Sequence, residues 1–126
     1  MGVSIIGCGD YEALMRHRAE TNGCPTDSAE FQRRFPPALA TLLQRYDPVQ
    51  RADALAATKL RFVGAGADML VPPACNVRLL ERLRAAGAAA VDEVIVPDAP
   101  HTLHPAMIEY TAEWFRRHVS DAPARL

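Results

Sequence analysis

Three short apolar runs, separated by longer stretches with helical spacing, constrain the fold more than any other feature of the sequence. The runs are Val3–Ile6, Lys59–Val63 and Val91–Val96, and each is followed directly by glycine or proline. Such runs indicate buried strands, and strands separated by helices pair in parallel through crossover connections. We therefore predict an α/β fold with about three parallel strands and flanking helices.

The stretches between the runs carry helix start and stop signals. Asp10 is a plausible N-cap for a helix over residues 11–20, which Asn22-Gly23 would end. A second helix is predicted from Pro72-Pro73 to Ala86, and a last one begins at Pro105. These signals place one or more helices between each pair of strands.

Residues 24–54 show no strand signal and are predicted to form a helical insertion. Asp27 and Glu30 are spaced as a capping pair, and Pro36-Pro37 favours the start of a longer helix. The apolar residues expected to pack within the insertion or to line a pocket are Phe31, Phe35, Leu39, Leu42 and Tyr46.

Composition narrows the functional class. The chain has 126 residues, fits one domain, and carries a formal net charge of −1 with three cysteines. A nearly neutral chain has no general attraction to nucleic acid or to anionic membranes, and no apolar stretch is long enough to span a bilayer. An odd cysteine number without C-x-x-C spacing favours reduced thiols, so we predict a cytoplasmic protein without a disulfide framework.

Asp68 and His101 each follow a predicted strand by a few residues. In parallel sheets, functional side chains lie on loops just past the carboxyl ends of the strands. A carboxylate there can orient an imidazole through Nδ1–H, and the imidazole can act as a general base. At this point the ordinary alternatives, a turn aspartate and a loop histidine, stay open.

His104 competes with His101 for any role in the second loop. The pair His101-x-x-His104 beside Asp98 also raises the question of a metal, but no third ligand has a recognised spacing. We therefore predict neither a metal nor another cofactor. His17 and His118 fall among charged residues in helical patterns, and we predict that they lie on solvated faces.

The two loops together resemble a known family. The segments "GAGADMLVPP" and "PHTLHPAMIEYTAEWFRRHV", with 33 residues from Asp68 to His101, are similar to the C-terminal portion of an α/β-hydrolase of the esterase and prolyl-oligopeptidase-like branch. The resemblance implies a three-layer α/β fold, with residues 24–54 as a lid. It also implies Asp68 as the acid and His101 as the base of a serine hydrolase's catalytic triad. Pro100 stands where the family usually has glycine.

The family's G-x-S-x-G nucleophile elbow has no counterpart here. Neither Ser4, Ser28 nor Ser120 has the flanking glycines, and no H-G-G-G oxyanion loop is present. Cys8 lies between Gly7 and Gly9, whereas an elbow places its glycines two residues away from the nucleophile on each side.

We therefore expect residues 1–126 to form one partial α/β-hydrolase domain, related to enzymes that hydrolyse carboxylic esters or other acyl bonds but a fragment or inactive alone. Two alternatives remain: a non-catalytic binding or assembly module and, less favoured, a Cys8-dependent thiol hydrolase. The expected partners are a small ester or acyl substrate in the intact enzyme, and a complementing N-terminal half or a second copy of the chain. Marginal stability alone is also expected, because a partial sheet leaves one edge unpaired.

Overall fold

The computed structural model describes residues 1–88 and 90–119, and its centre is a three-stranded parallel sheet. The strands are β1 (Gly2–Ile5), β2 (Leu60–Ala65) and β3 (Val91–Val96), in the order β1-β2-β3. All pairing is parallel, with Ser4 opposite Phe62 and Val63 opposite Val94. The predicted α/β class with about three parallel strands is therefore confirmed.

Six α-helices lie among the described residues: α1 (Tyr11–Thr21), α2 (Ala29–Arg34), α3 (Pro37–Tyr46), α4 (Ala52–Leu55), α5 (Val77–Ala85) and α6 (Pro105–Val119). The predicted helix starts at Tyr11 and Pro105 are confirmed. The helix predicted from Pro72 begins instead as a 3-10 turn over Pro73–Asn76, and α5 follows it. None of these helices is long and apolar enough to cross a membrane.

Helices cover both faces of the sheet. On one face, Phe62 packs with residues of α4, of α5 and of a 3-10 turn over Pro48–Arg51. These residues are Val49, Ala52, Leu79, Leu80 and Leu83. On the other face, Val63 packs with Ala65, Ala99 and Met107 of α6. Neighbouring residues of a strand point to opposite faces, so Phe62 and Val63 separate the two cores. Each fully buried leucine in these cores stabilises the fold by about 1.5–3 kcal/mol.

A buried arginine ties the second and third strands to α6. Arg61 is 7% exposed, and its Nε and Nη2 donate to the two carboxylate oxygens of Asp92 at 2.9 and 2.7 Å. Its Nη1 donates to the carbonyl of Tyr110 at 2.7 Å. The bidentate pair joins β2 to β3. The hydrogen bond to Tyr110 holds α6 against the sheet, and with it the loop that precedes α6.

The helical insertion is present, but two of its predicted details are wrong. Ser28, not Asp27, caps α2, because its Oγ accepts the Phe31 N–H at 3.0 Å. The predicted apolar face of α3 is only partly covered: Leu42 is 54% exposed and Tyr46 is 64% exposed. The helix packs near α1 and the 3-10 turn over Pro48–Arg51, which leaves its outer side open.

The two helical histidines are less solvated than predicted. His118 lies 4.5 Å from Trp114, measured between ring centroids, and its Nδ1 is 2.9 Å from the Trp114 carbonyl. The Nε2 of His17 is buried without a hydrogen-bond partner among the described residues. Both residues are half-buried: the His118 ring packs against Trp114 one helical turn away, and His17 has one buried ring nitrogen, so neither face is as fully solvated as predicted.

Candidate active site

The loops that follow β2 and β3 are joined through their backbones at the carboxyl edge of the sheet. Gly66 N–H donates to the Val96 carbonyl at 2.8 Å, and Ala67 N–H donates to the Ala99 carbonyl at 3.0 Å. A Cβ atom on Gly66 would lie 2.2 Å from the carbonyl oxygen of Pro97. Glycine is therefore required here, since any side chain would push the two loops apart.

Asp68 is a buried, fully hydrogen-bonded carboxylate, 2% exposed. Its Oδ1 accepts the N–H groups of Leu70 and Val71, both at 2.8 Å, and its Oδ2 lies 2.7 Å from His101 Nδ1. Burial alone would raise the pKa of Asp68, but the hydrogen bonds from Val71, His101 and Leu70 outweigh it and lower that pKa. Asp68 is therefore an anion at neutral pH.

His101 contacts Asp68 through one ring nitrogen and leaves the other free. Its side chain is 38% exposed, and no described residue forms a hydrogen bond with its Nε2. An ionised carboxylate only accepts, so we assign the ring proton to Nδ1. In the neutral ring the lone pair then lies on Nε2, where it can take a proton from a bound molecule.

His104, the competing histidine, has a different place. Its Nδ1 accepts the Ala106 N–H at 3.2 Å, and its carbonyl accepts the Met107 N–H at 2.9 Å. These are the hydrogen bonds of a helix cap, so His104 closes the start of α6. Within residues 1–88 and 90–119, no cluster of three or more His, Cys, Asp or Glu side chains is arranged to hold a metal ion.

Cys8 lies at the end of β1 in a different chemical setting from His101. Its thiol donates to the Asp10 carbonyl at 3.1 Å, and burial raises the pKa of Cys8 to about 12. A thiol with this pKa is protonated at neutral pH, and the thiolate is the reactive form. Cys8 is therefore held as a thiol and not as the reactive thiolate.

The turn around Cys8 is closed by its own contacts. Ile6 has φ of +51°, which is strained for a β-branched residue, while its side chain packs against the core on the α6 side of the sheet. A Cβ on Gly7 would lie 2.1 Å from Ser4 Oγ, so the Ser4 hydroxyl is packed against this turn. Ser28 caps α2, as described above, and Ser120 lies outside the described residues. No described serine is therefore placed as a nucleophile.

Two buried carboxylates hold the start of α1, and only one was predicted. Asp10 is the N-cap, accepting the Ala13 N–H at 3.0 Å, with Arg78 Nε 2.9 Å from its Oδ2. The second carboxylate, Asp47, accepts the Tyr11 N–H at 3.0 Å. Burial, with the nearby charge of Asp10, raises the pKa of Asp47.

Of the five predicted pocket residues of the insertion, Leu39 is half-buried and the other four form two groups. Phe31 and Phe35 stack at 5.5 Å and line a cavity of about 250 Å³ between α1 and α2. Leu42 and Tyr46 lie on the open side of α3. Sequence reasoning also missed Arg18 of the same cavity, because one arginine among several on a helix gives no distinguishing signal.

The fold and the site together define an α/β protein with an Asp–His pair at the carboxyl edge of a parallel sheet. Comparisons of the chain with protein-family models, with curated proteins and with solved structures found no match.

Proposed function

We propose that this chain carries the acid–base arm of an α/β-hydrolase-type active site that cleaves carboxylic esters or similar acyl bonds. The observation that carries the proposal is the 2.7 Å contact between the buried Asp68 carboxylate and Nδ1 of the partly exposed His101. The resemblance of the two loops to the acid and histidine loops of that family supports it.

In this proposal His101 moves a proton in both directions. Its Nε2 takes the proton of a hydroxyl nucleophile as that oxygen attacks the substrate carbonyl. The imidazolium that forms is stabilised by the Asp68 carboxylate, which stays ionised. His101 then returns the proton to the departing alkoxide, and the same steps with water as nucleophile release the acid.

We further propose that the nucleophile comes from a segment pairing with β1, since no described residue supplies one. Gly2 N–H donates to the carbonyl of Lys59, just before β2, and Ile6 N–H donates to the carbonyl of Val63 in β2. Residues of a strand alternate in direction, so the amides of Val3 and Ile5 face the open edge. A parallel strand added there would place its own carboxyl end at the same edge of the sheet as the loops of Asp68 and His101.

Hydrolysis of 4-nitrophenyl acetate tests the acid–base assignment. We expect slow, burst-free hydrolysis that His101→Ala and Asp68→Asn abolish, while His104→Ala and Cys8→Ser, the matched controls, leave it unchanged. Hydrolysis independent of His101 would overturn the proposal. Rapid turnover blocked by a serine-directed fluorophosphonate would instead overturn the inference that the nucleophile lies elsewhere.

Light scattering coupled to size-exclusion chromatography tests the open edge. We expect the chain to self-associate as its concentration rises, and Val3→Pro to reduce this association because it removes an outward N–H. Leu42→Lys is the matched control for the open side of α3. A concentration-independent monomer with a steep, cooperative urea transition would contradict an edge that needs a partner.

A further inference from the structure

Arg18 of α1 contacts the loop that follows β2 and carries Asp68, called the acid loop below, and has no carboxylate partner among the described residues. Its Nε donates to the carbonyl of Leu70 at 3.3 Å, two residues beyond Asp68. The neighbouring arginines are paired: Arg16 with Glu12 at 3.0 Å, and Arg34 with Glu30 at 2.5 Å. Arg18 therefore keeps its terminal guanidinium nitrogens for another acceptor.

Two cavities meet at Arg18. The first, of about 250 Å³, lies between α1 and α2, and its apolar lining includes Met15, Ala19, Phe31 and Phe35. Arg34 lines it as well, but its guanidinium is paired with Glu30. The second, of about 340 Å³, shares Arg18 and Asn22 with the first and is lined by Met69 and Leu70 of the acid loop. Neither cavity is lined by an aspartate or a glutamate, or by His101.

This arrangement suits a ligand with one apolar part and one negative charge. An apolar group gains free energy by leaving water for the Phe31–Phe35 lining. A guanidinium offers two parallel N–H donors that match a carboxylate. The first cavity holds roughly eight water volumes, which suits a single ring more than a large ligand.

We propose that the space between α1, α2 and the acid loop binds a small organic carboxylate, with its apolar group against Phe31 and Phe35 and its carboxylate on Arg18. This site does not depend on the chain being a hydrolase. The exposed Met69 and Leu70 extend the apolar surface from the site along the acid loop.

Titration with phenylacetate, followed by the methyl signal of Met15 in NMR spectra, tests the proposal. Phenylacetamide is the neutral control, because it keeps the ring and the size of the ligand. We expect saturable binding of phenylacetate, roughly fivefold tighter than that of the amide, as a partly exposed ion pair provides. Arg18→Gln should remove this preference, and Arg33→Gln, an exposed arginine of α2 that lines neither cavity, should not.

Three results would overturn the proposal. Equal affinity for phenylacetate and phenylacetamide would show that no cation recognises the charge, and this comparison needs only the wild-type chain. If Arg33→Gln weakened the preference for phenylacetate as much as Arg18→Gln, the preference would come from general charge attraction and not from a site at Arg18. Absence of any Met15 shift at saturating ligand would show that the cavity takes no ring.

Discussion

Asp10 and Asp68 are two buried carboxylates at the same edge of the sheet, and they differ in the partner that each one faces. Asp10 is 1% exposed and Asp68 is 2% exposed. The Asp10 carboxylate accepts one backbone N–H from a residue that follows it, and the Asp68 carboxylate accepts two. Asp10 faces the guanidinium of Arg78, which only donates hydrogen bonds. Asp68 faces the imidazole of His101, whose second ring nitrogen is open to a bound molecule.

This difference separates a structural carboxylate from a candidate catalytic one better than burial does. At the end of β1, Asp10 caps α1 and the Cys8 thiol donates to a backbone carbonyl, so these groups are occupied within the fold. At the ends of β2 and β3, the hydrogen bonds of Asp68 hold His101 while its Nε2 stays free. Proton transfer to or from a bound molecule requires a free, partly exposed nitrogen such as His101 Nε2.

The largest expected effect is on the reactivity of the Cys8 thiol at the end of β1. Cys8, with a pKa of about 12, should react with iodoacetamide at pH 8 at least about a thousandfold more slowly than a free cysteine, since far less thiolate is present. Peptide mapping by mass spectrometry after timed labelling measures this rate. Labelling of native Cys8 at the rate of a free cysteine would contradict an unreactive thiol at the end of β1 and would support the thiol-hydrolase alternative.

Substitutions at Asp10 and His101 should differ strongly in stability. Asp10→Ala removes the cap of α1 and leaves Arg78 without its acceptor, so we expect a loss of about 2–4 kcal/mol. His101→Ala removes a partly exposed ring and should cost less than about 1 kcal/mol. Urea unfolding of both variants measures this, and equal losses would show that His101 also has a structural role.

Asp68 should tolerate an amide better than truncation. Asp68→Ala leaves the N–H groups of Leu70 and Val71 without their acceptor, which we expect to cost about 2 kcal/mol. Asp68→Asn retains an oxygen for these donors and should cost less than half as much. Urea midpoints of the two variants provide the measurement, and losses of the same size would argue against the Oδ1 contacts.

The smallest expected effects are those of pH, and they have opposite signs. The pKa of Asp68 is lower in the folded chain than its value of about 4 in the unfolded chain. The ionised carboxylate therefore stabilises the fold above about pH 4, and this stabilisation is lost as the pH falls through the folded pKa. The raised pKa of Asp47 means that its charge destabilises the fold at pH 7 and that this cost disappears on acidification.

Asp68→Asn should therefore be less stable than wild type at pH 7, and Asp47→Asn more stable, each by about 1 kcal/mol or less. Both differences should shrink by pH 3. Urea unfolding at pH 3, 5 and 7 gives these values, and differences of the same sign at pH 7 would contradict the two environments.

Local features of the chain were predictable from the sequence, and long-range ones were not. The bounds of β3, the Asp10 cap and the α6 start follow from residues within a few positions of each other, while β1 and β2 are shifted by one or two residues from their predicted bounds. Gly23 and Gly87, with φ of +68° and +79°, end α1 and α5 as their sequence positions predict.

The contacts that define the site join distant parts of the chain. The choice of His101 over His104 depends on how the loop after β3 meets the loop after β2, and sequence spacing alone leaves both histidines open. Asp47 reaches Tyr11 across 36 residues, and Arg18 reaches Leu70 across 52. The Asp47 contact depends on how the helical insertion packs, and the Arg18 contact depends on how α1 meets the loop after β2. The sequence has no local signal for either.

The tautomer of His101 tests the central claim most directly. In ¹⁵N NMR spectra at pH 8, we predict that the neutral ring carries its proton on Nδ1, and that Asp68→Asn moves the proton to Nε2 because the new amide donates to Nδ1. His104→Ala should leave this signal unchanged. A His101 ring protonated on Nε2 in the wild-type chain, and unaffected by Asp68→Asn, would contradict the assignment of an acid–base pair.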